Sequence, residues 1–236
     1  MDQLSHGLHP QSRVDDYLAR GWWTDETIDG LFWQRVAERP DALAVTDPLN
    51  RESLDGEAPR RLTWGEIGSE VTWLAARLLE RGIGRGDLIG MKLPNSIEQL
   101  EVYLAAWTIG ASVSPLAMQY REHELVAMAN NAGFDAYICG ESLGDRSIID
   151  EAISVREQLS TVREFISIGR ASVEAREGVT RLQPQSASEA DEAAVDAYRE
   201  EHPNDPNDCT TICWTSGTEG QPKGVMRAHY DWLNFS

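Results

Sequence analysis

The chain has 236 residues, 41% of them hydrophobic and 25% charged, enough for one globular core or two small ones. Acidic residues outnumber basic ones 39 to 21, a formal net charge of −18, which argues against a protein that neutralises nucleic-acid phosphates or docks on an anionic membrane surface. No apolar run is long enough to span a bilayer, the start MDQLSHGLHPQS lacks the pattern of a secretory signal, and three cysteines make no disulfide framework, so a cytoplasmic protein without a transmembrane segment is expected.

Residues 1–13 are polar with no apolar period and are expected to form a mobile tail. Ile28, Leu31, Phe32 and Val36 recur at helical spacing before Pro40, and Ala42–Thr46 is fit for a strand. Residues 47–61, DPLNRESLDGEAPRR, mix Pro, Gly and charge and read as a surface loop. Thr63 with Glu66 makes a capping-box spacing, followed by an apolar stripe of Ile67, Val71, Leu74 and Leu78 that Gly82 stops. Leu88–Leu93 reads as a strand, Ser96 with Gln99 repeats the cap before a helix to Trp107, and Ala111–Ser114 is a strand again. A helix over 121–131, a strand at Ala136–Cys139, a helix over 148–159 and an extended stretch at Phe165–Ile168 follow. Strands alternating with helices, with no hairpin signals between them, predict an α/β fold: a parallel sheet with crossover helices. From 169 to 208 the pattern dissolves; residues 184–208 hold eight acidic side chains against one arginine and read as a solvated acidic connection with a short helix around Glu189–Tyr198.

The stretch with the most chemistry comes next. Thr210-Thr211-Ile212-Cys213-Trp214 is β-prone and runs straight into Thr215-Ser216-Gly217-Thr218-Glu219-Gly220-Gln221-Pro222-Lys223-Gly224. Glycines let several backbone N–H groups face one point, hydroxyls add donors, and Lys223 adds a compact positive charge. Polyphosphate binding needs that combination, and the carboxyl end of a strand in an open α/β sheet is where ligands usually sit. The spacing is not that of the common nucleotide P-loop, since Pro222 precedes Lys223 and Gly224 follows it.

Thr215–Gly224 resembles the signature phosphate loop of the adenylate-forming superfamily, which includes acyl-CoA synthetases, peptide-synthetase adenylation domains and beetle luciferases. LTWGEI (62–67), RGIGRGDLIGMKLPNSIE (81–98) and LAAWTIGASVSPL (104–116) extend the likeness upstream in order and spacing, and residues 17–40 are more similar to acyl-CoA and aryl-acid ligases. The resemblance implies that residues 14–236 are the N-terminal portion of an AMP-binding domain, with 210–236 carrying the strand, the loop and the start of the next element. It also implies ATP with Mg²⁺, coenzyme A and a small-molecule carboxylic acid as partners, and a reaction through an acyl-adenylate. By position, Thr215, Ser216, Gly217, Thr218, Gly220 and Lys223 would hold phosphates; Glu219 stands where the family most often has Thr or Ser and is expected to turn away or approach the metal. Members of the family run much longer, so the chain is expected to be a piece of a ligase, inactive alone. An adenylation module loading a carrier-protein thiol and a non-catalytic nucleotide-binding or scaffold protein of truncated origin are the alternatives.

Other residues carry less. His229, just past the loop, is a candidate for a substrate pocket or for a cap. Cys139, Cys209 and Cys213 read as small buried apolar residues, His6 and His9 as weak, and the tryptophans at 22, 23, 33, 64, 73 and 107 as packing. No metal-ligating set is read. Acidity with only Lys92 and Lys223 as lysines resembles proteins of salt-loving microbes, where molar salt screens repulsion among surface carboxylates.

Overall fold

The computed structural model describes residues 7–169, 175–215 and 222–234. Helices α1 (Gln11–Ala19) and α2 (Ile28–Glu38) come first, α2 being capped by Thr27, whose hydroxyl accepts from the Gly30 N–H at 3.1 Å. Strand β1 (Leu43–Thr46) pairs antiparallel with β2 (Arg61–Thr63) across the short helix α3 (Arg51–Asp55). The predicted capping box opens α4 (Trp64–Glu80): the Glu66 N–H donates to Thr63 Oγ1 at 3.2 Å and the Thr63 N–H to Glu66 Oε2 at 2.8 Å. Then β3 (Leu88–Lys92), α5 (Ile97–Thr108), β4 (Ser112–Pro115), α6 (Glu122–Ala132) and β5 (Ala136–Gly140) alternate. The cap of α5 is half a box: the Gln99 N–H donates to Ser96 Oγ at 3.3 Å, but the Gln99 side chain donates to the Leu93 carbonyl instead. A small hairpin, β6 (Ser142–Leu143) and β7 (Arg146–Ser147), leads to α7 (Ile148–Ser154) and a 3-10 turn at Arg156–Gln158. Next come β8 (Glu164–Ile168), β9 (Thr180–Leu182), α8 (Glu189–Glu201), β10 (Cys209–Thr215), β11 (Lys223–Ala228) and α9 (His229–Leu233).

Among the described residues the main sheet has seven strands in the order β11-β10-β4-β3-β5-β8-β9, all parallel except β11, which runs antiparallel to β10. The central strands β3, β4, β5 and β8 are buried on both faces, as parallel strands are. Alternation divides their side chains: Ile89, Met91, Ala136, Ile138, Ile166 and Ile168 face the core under α4 and α5, whereas Leu88, Tyr137, Cys139 and Phe165 face the core under α6 and α7. Gly90 lies against the Phe134 ring so closely that a Cβ there would collide with it.

The α/β expectation holds, with parallel strands and crossover helices, and four stretches differ in detail. Within the expected mobile tail 1–13, the described part is tied down: the Leu8 N–H donates to the Asn207 carbonyl at 2.8 Å, and α1 begins at Gln11 and buries Val14. The expected acidic connection 169–208 contributes β9 to the sheet edge, and α8 packs on α4 through the buried Val195, with Arg77 paired to Asp191. An antiparallel strand, β11, follows the loop.

The fourth stretch, 47–61, is not a surface loop at its core. Arg51 is 2% exposed and Asp47 3%. Arg51 reaches Asp47 and Asp55 at 2.8 Å and Glu98 at 2.7 Å, while Arg60 reaches Glu70 at 2.5 Å, Glu98 at 3.4 Å and Glu101 at 3.7 Å. The Pro, Gly and charge pattern of a loop conceals this because the partners lie on α4 and α5. Five carboxylates against two guanidinium groups leave the cluster short of positive charge, and Glu101, fully buried, answers that. Burial first, then Glu70 and Glu98, push its pKa well up, which favours the neutral carboxyl.

A folded-state pKa above the unfolded value of 4.5 contributes stability that is whole below pH 4.5 and lost as the pH rises through the folded value. Glu101→Gln, neutral throughout, is therefore expected to match the wild type near acid pH and to exceed it in alkaline buffer by about 1–3 kcal/mol, the cost of a buried unsatisfied group. Urea unfolding across the pH range checks this; a variant weaker than wild type at alkaline pH would contradict it.

Candidate functional site: the carboxyl end of strand β10

Strand β10 emerges from the core and ends in solvent, its residues passing from buried at Cys209 to exposed at Thr215. Its parallel pairing with β4, Thr211 opposite Val113, aims its carboxyl end the same way as those of β3, β5 and β8. Ser112 Oγ donates to the Cys209 carbonyl at 2.8 Å, Ser114 Oγ to the Ile212 carbonyl at 3.3 Å, and Trp107 Nε1 to the Thr210 carbonyl at 3.0 Å. Trp214 Nε1 returns a bond to Ser114 Oγ at 2.7 Å. These polar struts fix the strand that carries the loop. The two serines spaced two apart in an otherwise apolar strand, ASVSPL, were the signal for them in the sequence.

Thr215 and Lys223 close the two strands as a register pair, with Thr215 Oγ1 donating to the Lys223 carbonyl at 3.4 Å. Both are exposed, and no ion pair joins Lys223 to another described residue. The other lysine is committed elsewhere: Lys92 is 2% exposed and donates to the Tyr120 carbonyl at 2.6 Å and to Glu151 at 3.2 Å. Ser216, Gly217, Thr218 and Gly220, the remaining expected phosphate contacts, lie outside the described residues, as does Glu219. The described flanks offer an ammonium group and a hydroxyl side by side at a strand's carboxyl end, a donor set suited to anionic oxygens. No cluster of three or more His, Cys, Asp or Glu side chains is arranged to hold a metal ion among the described residues, and Glu219, the residue expected near Mg²⁺, is not among them.

His229, read in the sequence as a candidate for a substrate pocket or for a cap, caps a helix. It is 3% exposed, and its Nδ1 accepts the Ile28 N–H at 3.0 Å, capping the start of α2. Accepting at Nδ1 requires the neutral ring, and burial lowers its pKa against the opposing pull of Asp29, Asp208 and Asp205. His9 donates or accepts at Asp231 over 3.1 Å, and Cys139 and Cys209 are buried, whereas Cys213 is only half-buried. A cavity of about 50 Å³ opens outside the carboxyl ends of β3, β5 and β8, bounded by Leu93, Gly140, Glu141 and Gly169. That volume would admit a water or two and is too small for a nucleotide. No described helix is long and apolar enough to cross a membrane.

The family model for AMP-binding enzymes matches residues 32–236, and the chain belongs to that family. Among curated proteins it is 28% identical over 225 residues to the medium-chain fatty-acid–CoA ligase of Escherichia coli (strain K12), a match covering 93% of this chain and 36% of that one. It is 25% identical over 223 residues to the salicylyl-CoA synthase / salicylate adenylyltransferase of a Streptomyces species, covering 94% of this chain and 38% of that protein. Among solved structures, apo MbtA of Mycobacterium smegmatis superposes with a TM-score of 0.73 at 21% identity, covering 98% of this chain and 39% of that one. The chain thus spans little more than a third of these relatives' length, and the structural match is one of fold.

Proposed function

We propose that this chain is the phosphate-gripping portion of an ATP-dependent ligase that converts a carboxylic acid to an acyl-adenylate and then to a coenzyme A thioester. In the first step a carboxylate oxygen attacks the α-phosphorus of ATP, and the bond to the β-phosphate breaks, releasing pyrophosphate. In the second, the thiol attacks the acyl carbon and AMP departs. The chain's part is positioning and charge neutralisation, which need donors rather than a protein nucleophile. Lys223 supplies the charge on the β- and γ-phosphates, Thr215 a hydroxyl, and the residues from Ser216 to Gly220 the backbone and side-chain donors. Mg²⁺, when bound, would neutralise the triphosphate further. The observation that carries this reading is the pairing of Thr215 with Lys223, which is exposed and in no ion pair among the described residues, at the carboxyl end of β10. The acidic, lysine-poor composition supports a salt-adapted cytoplasm as its setting.

Carboxylate-dependent exchange of pyrophosphate into ATP, measured on the full-length protein with a panel of aliphatic and aryl acids, tests the first step; no exchange with any acid would overturn it. Coenzyme A as the thiol that releases AMP supports the acyl-CoA reading, and a carrier-protein thiol in its place would make the protein an adenylation module. Lys223→Ala is expected to weaken use of ATP by about 1–3 kcal/mol, the range for a charged hydrogen bond. An unchanged exchange rate would remove Lys223 from the site.

A further inference from the structure

The hairpin of β10 and β11 has two feet, and at its other described end Thr215 and Lys223 are exposed. Past Trp214 it stands clear of β4, and Lys223–Met226 are exposed along β11. The feet are the residues just before β10 and just after β11, and both are held by the beginning of the chain. At the first foot Asn207 works as a piece of backbone: its carbonyl accepts from the Leu8 N–H at 2.8 Å, its side-chain oxygen from the His9 N–H at 2.8 Å, and its amide nitrogen donates to the His9 carbonyl at 2.9 Å. The approach is close enough to need glycine at position 7, where φ is +23° and a Cβ would stand 2.5 Å from Asn207 Nδ2. At the second foot Trp23 stacks on Tyr230, ring centroids 4.1 Å apart and planes 7° from parallel. His9 meets Asp231 at 3.1 Å, and the same Asp231 oxygen accepts the Ala228 N–H at the end of β11.

We infer that residues 7–28 form a clasp that sets the position of Thr215 and Lys223 by holding both feet of the hairpin that carries them. The physical basis is the restraint of an edge strand. Among the described residues β11 pairs with no strand but β10, so Lys223 is held in place by that pairing and by the foot at Ala228–Asp231. A loop that aims several amides at one anion loses binding when displaced by even an ångström. Asn207 and Trp23 are therefore positioning residues. Their assignment to the loop's function rests on the phosphate-binding reading above, whereas the clasp itself does not.

The test compares full-length wild type with Asn207→Ala and Trp23→Leu by native-state hydrogen exchange and by steady-state kinetics. The clasp predicts that amides of 211–215 and 223–228 exchange at least tenfold faster in both variants, while amides of β3 and β5 change little. Uniform acceleration throughout the sheet, or no change in the hairpin, would overturn it. The kinetic arm predicts a KM for ATP raised roughly fivefold or more, with the KM for the carboxylic acid nearly constant. Equal rises in both would mean general loosening and would also overturn the positioning role. If the wild type uses no ATP, the functional reading fails on its own, and the exchange data still decide the clasp. Asn207→Asp, which keeps an acceptor for the His9 N–H, is expected to restore part of the hairpin's protection if folding of the alanine variant is compromised.

Discussion

Arg51→Ala is expected to destabilise the protein by about 3–5 kcal/mol, the cost of breaking a buried ion pair from one side. The guanidinium is enclosed by Asp47, Asp55 and Glu98 at 2.7 to 2.8 Å, with side-chain exposures of 0%, 13% and 3%. Without it, three carboxylates that already share too little positive charge face one another across a poorly solvated space. Asp47 also accepts the Ile97 N–H at the start of α5 and the Arg60 N–H, so its displacement loosens the join between 47–61 and the helix layer. Chemical denaturation at neutral pH measures the loss. Arg51→Lys is expected to recover only part of it, because a single ammonium cannot present the forked donors that meet three acids at once. A loss within 0.5 kcal/mol of zero, as at an ordinary surface site, would mean that water enters the cluster and shields it.

Phe134→Ala is expected to cost about 3–5 kcal/mol as well, through a cavity in a rigid place. The ring is fully buried between β3 and α6, immediately after Gly133, whose φ of +75° ends that helix. Its bed is Gly90, the one position in β3 where the backbone lies bare. Gly90→Ala alone forces the ring aside and is expected to cost about 1–3 kcal/mol. In the Phe134→Ala background the added methyl fills vacated space, so the double variant is expected to lose less than the two single losses combined, by about 0.5–3 kcal/mol. Strict additivity in urea unfolding would contradict the contact.

Features that are local in the chain were legible before the structure. The capping box of Thr63 and Glu66 is a local spacing that needs nothing else, and Gly82 ends its helix at φ of +67°, as the sequence pattern implied; Gly110 and Gly133 do the same at +70° and +75°. Strands β3, β4, β5 and β8 announce themselves as short apolar runs because both their faces are covered. What was hidden depends on partners far along the chain. Arg51 looks like a loop charge until Glu98 is brought beside it, β9 is only three residues long, and α8 hides one buried valine among acids. At the candidate site the same division holds. The motif from Thr215 to Gly224 is contiguous and could be read directly, whereas His229 and Asn207 act on residues about 200 positions away and carry no local mark.

The central claim is that the turn between β10 and β11 receives the phosphate tail of a nucleotide. A crystal of the full-length protein grown with ATP and a nonreactive carboxylate measures it directly. The account predicts phosphate oxygens within about 3.2 Å of Lys223 Nζ and of successive backbone amides between Thr215 and Gly224. A nucleotide bound elsewhere, with Lys223 turned to solvent and those amides satisfied by the protein itself, would contradict it.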